Sequence, residues 1–226
     1  MIFSKKTYAF FLLLMTLLIV ISYNYIDQQV AHYFFKHTET FEDLGKNIST
    51  LGESHWYIGA GILGALYFAY VKKNALYMQR FLFLLYANLF SGLISIVLKV
   101  LFGRTRPWMY AKESAEYGFL FLQNPDFSLM QKLSYQLSHL LERYAAYVSF
   151  PSGHTTTTMA VFTYLSIFFP RYILIWLLLA LLSMSSRILA NEHFVSDVLA
   201  GIIVGSISTL FLYSKMKHKL YLEQTK

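Results

Sequence analysis

Ser186-Arg187-Ile188-Leu189-Ala190-Asn191-Glu192-His193-Phe194-Val195-Ser196-Asp197 is a chemically loaded stretch set between two apolar runs, Tyr172 to Ser185 and Val198 to Tyr213. Runs of that length and apolarity belong to helices in or near a bilayer. A guanidinium, an imidazole and a carboxylate at such a boundary need water, an anion or one another. His193 and Asp197 are four residues apart where the second run opens, so on a helix they share one face. A carboxylate there accepts from one ring nitrogen, fixes the tautomer and leaves the other nitrogen free as a nucleophile. A surface His–Asp pair, worth roughly 0.2–0.5 kcal/mol, would also fit the spacing but would not account for Arg187 beside it.

The rest of the chain sets those runs in a membrane. Of 226 residues 56% are hydrophobic and 14% charged, with a mean hydropathy of +0.46; soluble domains carry about 25% charged residues. The aromatic content suits interfacial belts. There is no cysteine, which excludes disulfides, thiolate catalysis and thiolate metal sites. The net charge of +7 would suit nucleic acid, but the basic residues cluster beside apolar runs, and no nucleic-acid partner is expected. Candidate spans are Tyr8 to Tyr23, Trp56 to Val71, Phe81 to Leu98, Thr155 to Phe169, Tyr172 to Ser185 and Val198 to Tyr213. The first follows Lys5-Lys6 but ends in Ser22-Tyr23-Asn24-Tyr25 without a small-x-small cleavage site, and reads as a retained span. No repeat or linker divides residues 1–226, which read as one domain. The fold class expected is all-α, a six-span transmembrane helical bundle.

Orientation follows from the cations. Lys5, Lys6, Lys72, Lys73, Arg80, Arg171, Lys215, Lys217, Lys219 and Lys226 fall on one side with a single acid, Glu223. The other nine basic residues and eleven acids fall opposite. The positive-inside rule makes the first side cytoplasmic, with both termini. The chemistry-bearing stretches then face outward, which in a Gram-negative cell is the periplasmic side of the inner membrane. Two long outward segments, Asn24 to His55 and Leu101 to Phe150, carry amphipathic patterning. In the second, Leu129, Leu133, Leu137, Leu140, Leu141, Tyr144 and Val148 recur at three- and four-residue steps among Lys132, Gln136, His139, Glu142 and Arg143. That spacing predicts a helix lying in the interface beside the lipid access path, or one merely packed on the bundle.

Two further clusters share the outward side. Lys99-Val100-Leu101-Phe102-Gly103-Arg104-Thr105-Arg106-Pro107 ends an apolar span. Arg106 offers a planar fork to two phosphate oxygens and Lys99 a point charge, although cations snorkelling at a helix end are common. Pro107 stops helix continuation. Phe150-Pro151-Ser152-Gly153-His154-Thr155 breaks the chain just before an apolar helix, whose N-terminal N–H groups bind anions. Gly153 permits close backbone approach, Ser152 adds a hydroxyl, and His154 on the first turn can give or take a proton. An N-cap with a chance histidine would look the same.

Lys-x6-Arg-Pro, Pro-Ser-Gly-His and Ser-Arg-x5-His-x3-Asp, in this order, resemble the three signature motifs of the type 2 phosphatidic acid phosphatase superfamily, its integral membrane lipid phosphatase branch. All eleven defining positions are present within residues 99–197, and the match covers roughly 56 to 213. The resemblance implies that His193 attacks phosphorus to form a phosphohistidine, that Asp197 orients it, and that His154 protonates the leaving oxygen and later activates water. Lys99, Arg106, Ser152, Gly153 and Arg187 would hold the phosphoryl oxygens, with no metal and no cofactor. Arg104 would touch either a second phosphate or the lipid surface. The expected partner is a phosphorylated membrane lipid: undecaprenyl diphosphate, phosphatidylglycerol phosphate, phosphatidate or lipid A. Alternatives are a lipid-to-lipid phosphotransferase and a non-catalytic lipid-binding membrane protein. His32, His37, His55, His139 and His218 fit no motif. Gly201 and Gly205 suit close helix packing or dimerisation, and the oligomeric state is not legible.

Overall fold

The computed structural model describes residues 4–113 and 115–221; Glu223 and Lys226, used above for orientation, lie outside them. The first apolar run forms α1, Lys5–Ile21, capped by the Ser4 hydroxyl, which accepts from the Thr7 N–H. Against the sequence expectation the helix does not end near Tyr23. A π turn, Ser22–Ile26, carries it into α2, Asp27–Lys36. Polar side chains that read as a loop are satisfied within the helix. Asn24 Nδ2 donates to the Val20 carbonyl at 2.7 Å, and Ser22 Oγ to Asp27 Oδ1 at 2.8 Å.

Helix α3 (Thr38–Ser49) leads to α4 (Ser54–Leu66), which a second π turn, Tyr67–Val71, extends. Helix α5 (Ala75–Phe102) follows; 28 residues make it about 42 Å long. The short α6 (Pro107–Glu113) precedes α7 (Leu129–Tyr147), which opens on a Ser128/Gln131 capping box. The remainder is α8 (Gly153–Phe168), α9 (Ile173–Leu189) and α10 (Val195–Tyr221). Among the described residues there is no strand, only isolated bridges from Arg104 to Phe119 and Val148.

Among the described residues four helical segments are long and apolar enough to cross a membrane: Lys6–Lys36, Ala75–Phe102, Pro170–Leu189 and Val195–Tyr221. The chain is an all-α integral membrane protein. The other two apolar runs form α4 and α8, which are shorter; α8 has 16 residues, about 24 Å. Helix α10 packs on α8, α5 and α1, while α4 lies along α5 and both α3 and α8 lie on α9. The α8–α10 contact needs glycine. A Cβ on Gly205 would lie 2.3 Å from the Thr156 carbonyl oxygen, and one on Gly201 2.8 Å from that of Ser152. The Gly-x3-Gly spacing therefore serves packing within the chain. Phe83, Leu84, Ala87, Val161, Tyr164 and Leu220 form a core at the far end from the motifs.

Helix α7 buries Leu140, Ala146 and Tyr147 together with one amide, while leucines share its exposed face with Gln131, Ser138 and Glu142. Leu129, Met130, Leu133, Leu137 and Leu141 are exposed. Gln136 is buried, and its Nε2 donates to the Leu101 carbonyl at 2.9 Å and to that of Val100. These belong to the last turn of α5, whose carbonyls lack intrahelical partners.

Candidate active site

The site is built from three helix ends. Helix α5 closes on Gly103, whose left-handed φ of +50° lets its N–H reach the Lys99 carbonyl at 3.0 Å. The chain beyond is stitched down: Leu120 N–H donates to the Gly103 carbonyl, Ser149 N–H to that of Arg104, and Arg106 N–H to that of Ala146. Lys99 Nζ donates to the Val148 carbonyl. A Cβ on Gly153 would lie 3.7 Å from Lys99 Cε, so the ammonium stem stands over the N-terminus of α8. Ser152 caps that helix. It is fully buried, and its Oγ accepts from the N–H and the hydroxyl of Thr155. His154 occupies the first turn, where the charges acting on it come from Arg187, Arg106 and Lys99.

The turn between α9 and α10 carries the second histidine. The N–H groups of Glu192 and His193 both donate to the Arg187 carbonyl, at 3.0 and 3.1 Å. Asn191 takes the intervening left-handed φ of +52°, which asparagine tolerates better than most residues. Asp197 Oδ2 accepts from the Phe194 N–H at 2.9 Å and the Ser149 hydroxyl at 2.6 Å. His193 Nδ1 faces the same oxygen at 3.6 Å, which turns Nε2 away from it. The Ser152 N–H donates to the Asp197 carbonyl at 3.0 Å and joins this turn to the Pro-Ser-Gly-His turn. Burial, then Arg106, Lys99, Arg187 and His154, hold the His193 imidazole well below its ordinary pKa of 6.5. It is therefore neutral at pH 7, the form that can act as a nucleophile. Lys99, Arg106, Ser152, Gly153, His154, Arg187, His193 and Asp197, spread over almost a hundred positions, thus meet at one end of the bundle.

Beneath them lies a network the sequence did not disclose. Arg104 is 0% exposed, as are the side chains of Asp27 and Asp197. Its Nη2 donates to Asp27 Oδ2 at 2.9 Å and its Nη1 to Asp197 Oδ1 at 2.5 Å. Ser196 and Tyr117 complete its partners at 2.7 and 2.9 Å. The ring of Phe194 lies 4.3 Å from the guanidinium carbon. Arg104 thus touches neither a second phosphate nor the lipid surface: two buried carboxylates pull the guanidinium inward. An acid directly after an apolar run, at Asp27, was the one signal that could have raised the question. Glu192 was also missed. It pairs with Arg106 and lies near Arg187.

A groove of about 580 Å³ runs from Lys99, Gly153 and His154 between α4 and α5, past Ser95, Asn88 and Leu93. A larger cavity of about 630 Å³, among Phe11, Phe162, Ile173 and Leu210, holds none of the site residues. Among the described residues no group of His, Asp and Glu side chains has metal-holding geometry.

The family model of the PAP2 superfamily matches residues 80–221. A lipid A 1-phosphatase of Rhizobium etli is 31% identical over 189 residues, covering 77% of this chain and 72% of its own. A lipid A 1-phosphatase of Rhizobium johnstonii is 31% identical over 175 residues, covering 72% of this chain and 63% of its own. The crystal structure of a transmembrane PAP2 type phosphatidylglycerolphosphate phosphatase from Bacillus subtilis is similar in fold. It has a TM-score of 0.58 and 22% identity, covering 97% of this chain and 96% of that one.

Proposed function

As this chain belongs to the PAP2 superfamily and is a phosphatase, we propose that it hydrolyses a phosphomonoester or diphosphate of a membrane lipid head group. Lipid A leads the candidates because both Rhizobium relatives bear that substrate in their names. Undecaprenyl diphosphate, phosphatidylglycerol phosphate and phosphatidate follow. The observation that carries the reading is the meeting of two histidines with three cations at one end of the bundle, where a groove opens sideways between α4 and α5. A lipid could present its head group to the cations while its tail stays in the bilayer.

In the proposed reaction His193 Nε2 attacks phosphorus in line with the lipid oxygen. An N–P bond forms as the P–O bond to the lipid breaks, and His154, protonated by the proton that a phosphomonoester monoanion brings into the site, gives that proton to the leaving oxygen. His154 then takes a proton from water, which attacks the phosphohistidine, releases phosphate and restores neutral His193. Asp197 holds the imidazole by Nδ1. Charge growing on the phosphoryl oxygens is met by Lys99, Arg106, Arg187, the Ser152 hydroxyl and the Gly153 backbone; such positioned charge supplies most of the catalysis in phosphoryl transfer.

All 226 residues are read as one domain, since the first helix reaches the site through Asp27. Six crossings are read, with α4 and α8 as the shorter two, and α7 lies in the interface on its exposed leucines. The start of α1, the end of α10 and the basic turns at Lys72-Lys73 and Arg171 fall at the helix ends opposite the motifs, which supports a periplasmic site in a bacterial inner membrane. The deciding experiment assays purified protein in detergent against the four lipids and measures inorganic phosphate in step with substrate loss. One lipid should release phosphate, and His193→Ala should release none. Turnover that survives His193→Ala, or no release from any lipid, defeats the proposal.

A further inference from the structure

Glu192 is the one acid directly attached to the proposed nucleophile. Arg106 Nη1 donates to its Oε2, and Arg187 Nη2 lies 3.9 Å from that same oxygen. Its side chain is 28% exposed, and those of Arg106 and Arg187 are 17% and 9% exposed. Among the described residues, the other acids nearby are Asp27 and Asp197, which are committed to Arg104, and Glu53, which lines the groove beside His55 without an ion pair to either arginine. The Asn191 turn and the bond from the Glu192 N–H to the Arg187 carbonyl fix the Glu192 backbone, so its carboxylate leaves the arginines only by side-chain rotation and stays tethered beside them. A carboxylate and a phosphate present the same oxygen fork to a guanidinium. Glu192 therefore sits across the two arginines where phosphoryl oxygens would lie.

We propose that Glu192 sets the affinity threshold of the clamp, as a tethered competitor whose displacement costs every anion the same factor, a factor that a doubly charged phosphate overcomes and a singly charged one does not. The inference rests on the reading of Arg106 and Arg187 as the phosphate clamp. A membrane surface is crowded with phosphodiester head groups, each with one negative charge. Such a head group offers the arginines no more charge than Glu192 already supplies, and Glu192 competes as an intramolecular partner at an effective concentration on the order of millimolar or above. A phosphomonoester carries about −1.5 to −2 at pH 7 with three acceptor oxygens. It exceeds what one carboxylate gives, and it wins. The threshold, rather than a changed ratio of affinities, keeps phosphodiesters off the clamp.

The test compares wild type with Glu192→Gln, which keeps the shape and removes the charge. Inhibition of lipid phosphomonoester hydrolysis is measured with phosphatidylglycerol in mixed micelles and with inorganic phosphate. In the variant the concentrations of phosphatidylglycerol and of phosphate for half-inhibition should both fall, each by about tenfold, because the same competitor is gone for both. Unchanged values, or weaker inhibition by phosphate, would mean that Glu192 only braces the arginines, and would overturn the proposal. Protection of His193→Ala protein against thermal unfolding by phosphate, with and without Glu192→Gln, repeats the comparison without turnover. The added substitution should strengthen protection; equal or weaker protection counts against Glu192. Absence of both lipid hydrolysis in wild type and phosphate protection in His193→Ala would remove the clamp itself, and the Glu192 proposal with it. Hydrolysis and protection intact with no effect of Glu192→Gln would remove Glu192 alone.

Discussion

Replacing Arg104 by Met should be among the most damaging single changes that leave the motif residues intact. Met fills much of the same volume but removes the cation between Asp27 and Asp197, all three at 0% exposure. Removing one partner of a buried pair costs about 3–5 kcal/mol, because a charge is left uncompensated. Here two carboxylates are stranded about one vanished guanidinium. Both keep hydrogen-bond donors, Asp27 from Ser22 and Ser196 and Asp197 from Ser149 and the Phe194 N–H, so the middle of that range is the fair expectation. A chain of this size loses roughly 2–4 °C of melting temperature per kcal/mol, which puts the shift for about 4 kcal/mol at about 8–16 °C in detergent. Asp27→Asn should cost less, since Arg104 keeps Asp197. In the double variant Asp27→Asn should restore part of the loss, because one stranded charge is gone; neighbours that share a network show coupling of roughly 0.5–3 kcal/mol. A melting temperature for Arg104→Met within about 2 °C of wild type, or shifts that merely add, would refute the ion triad as a structural unit.

Arg106→Lys should lower kcat/KM by about 10- to 100-fold, since one charge remains but the fork is lost; near-normal kinetics would make Arg106 peripheral. Gly205→Ala should destabilise the protein by about 1–3 kcal/mol, the usual cost of overpacking, because its methyl would meet the Thr156 carbonyl oxygen at 2.3 Å. An unaltered melting temperature would mean that α8 and α10 cross with room to spare. The acid limb of kcat/KM, after allowance for substrate ionisation, should lie below pH 6.5, because burial and its cationic neighbours keep His193 neutral where a free imidazole is half protonated. The same shift withdraws stability as pH falls below about 6.5, where the unfolded chain takes up a proton that folded His193 refuses. An acid limb at 6.5 or above would contradict the assignment of His193.

The motif residues were legible because each is a costly side chain at the end of an apolar run, where chemistry is the simplest reason for keeping it. The support beneath them was not. Arg104 meets Asp27 across 77 positions, and no local spacing announces such a pairing. The first span was cut short because Ser22 and Asn24 look like a turn, whereas inside a helix they bond to it. Gln136 was set on the wetted face of α7 by a rule made for water; in a membrane protein the buried position belonged to the amide that the end of α5 needed. The span count rested on apolar runs, and α8 is a short helix of packed threonines pressed against α10. Glu192 escaped notice because adjacency to a histidine carries no periodic signal.

The bond between Asp27 and the Ser196 N–H, 169 positions apart, also bears on how the protein is made. At about 5–20 residues per second, a ribosome needs roughly 8–34 s after Asp27 to deliver the other end of that contact. Arg104, the counter-ion of Asp27, follows 77 positions after it, but for the rest of that interval Asp27 lacks Ser196 and Arg104 lacks Asp197. Assembly of the catalytic end must therefore wait for the last helix, and a nascent chain stalled before it would be left with a half-satisfied ion cluster, lacking Asp197 and Ser196, that quality-control proteases can read.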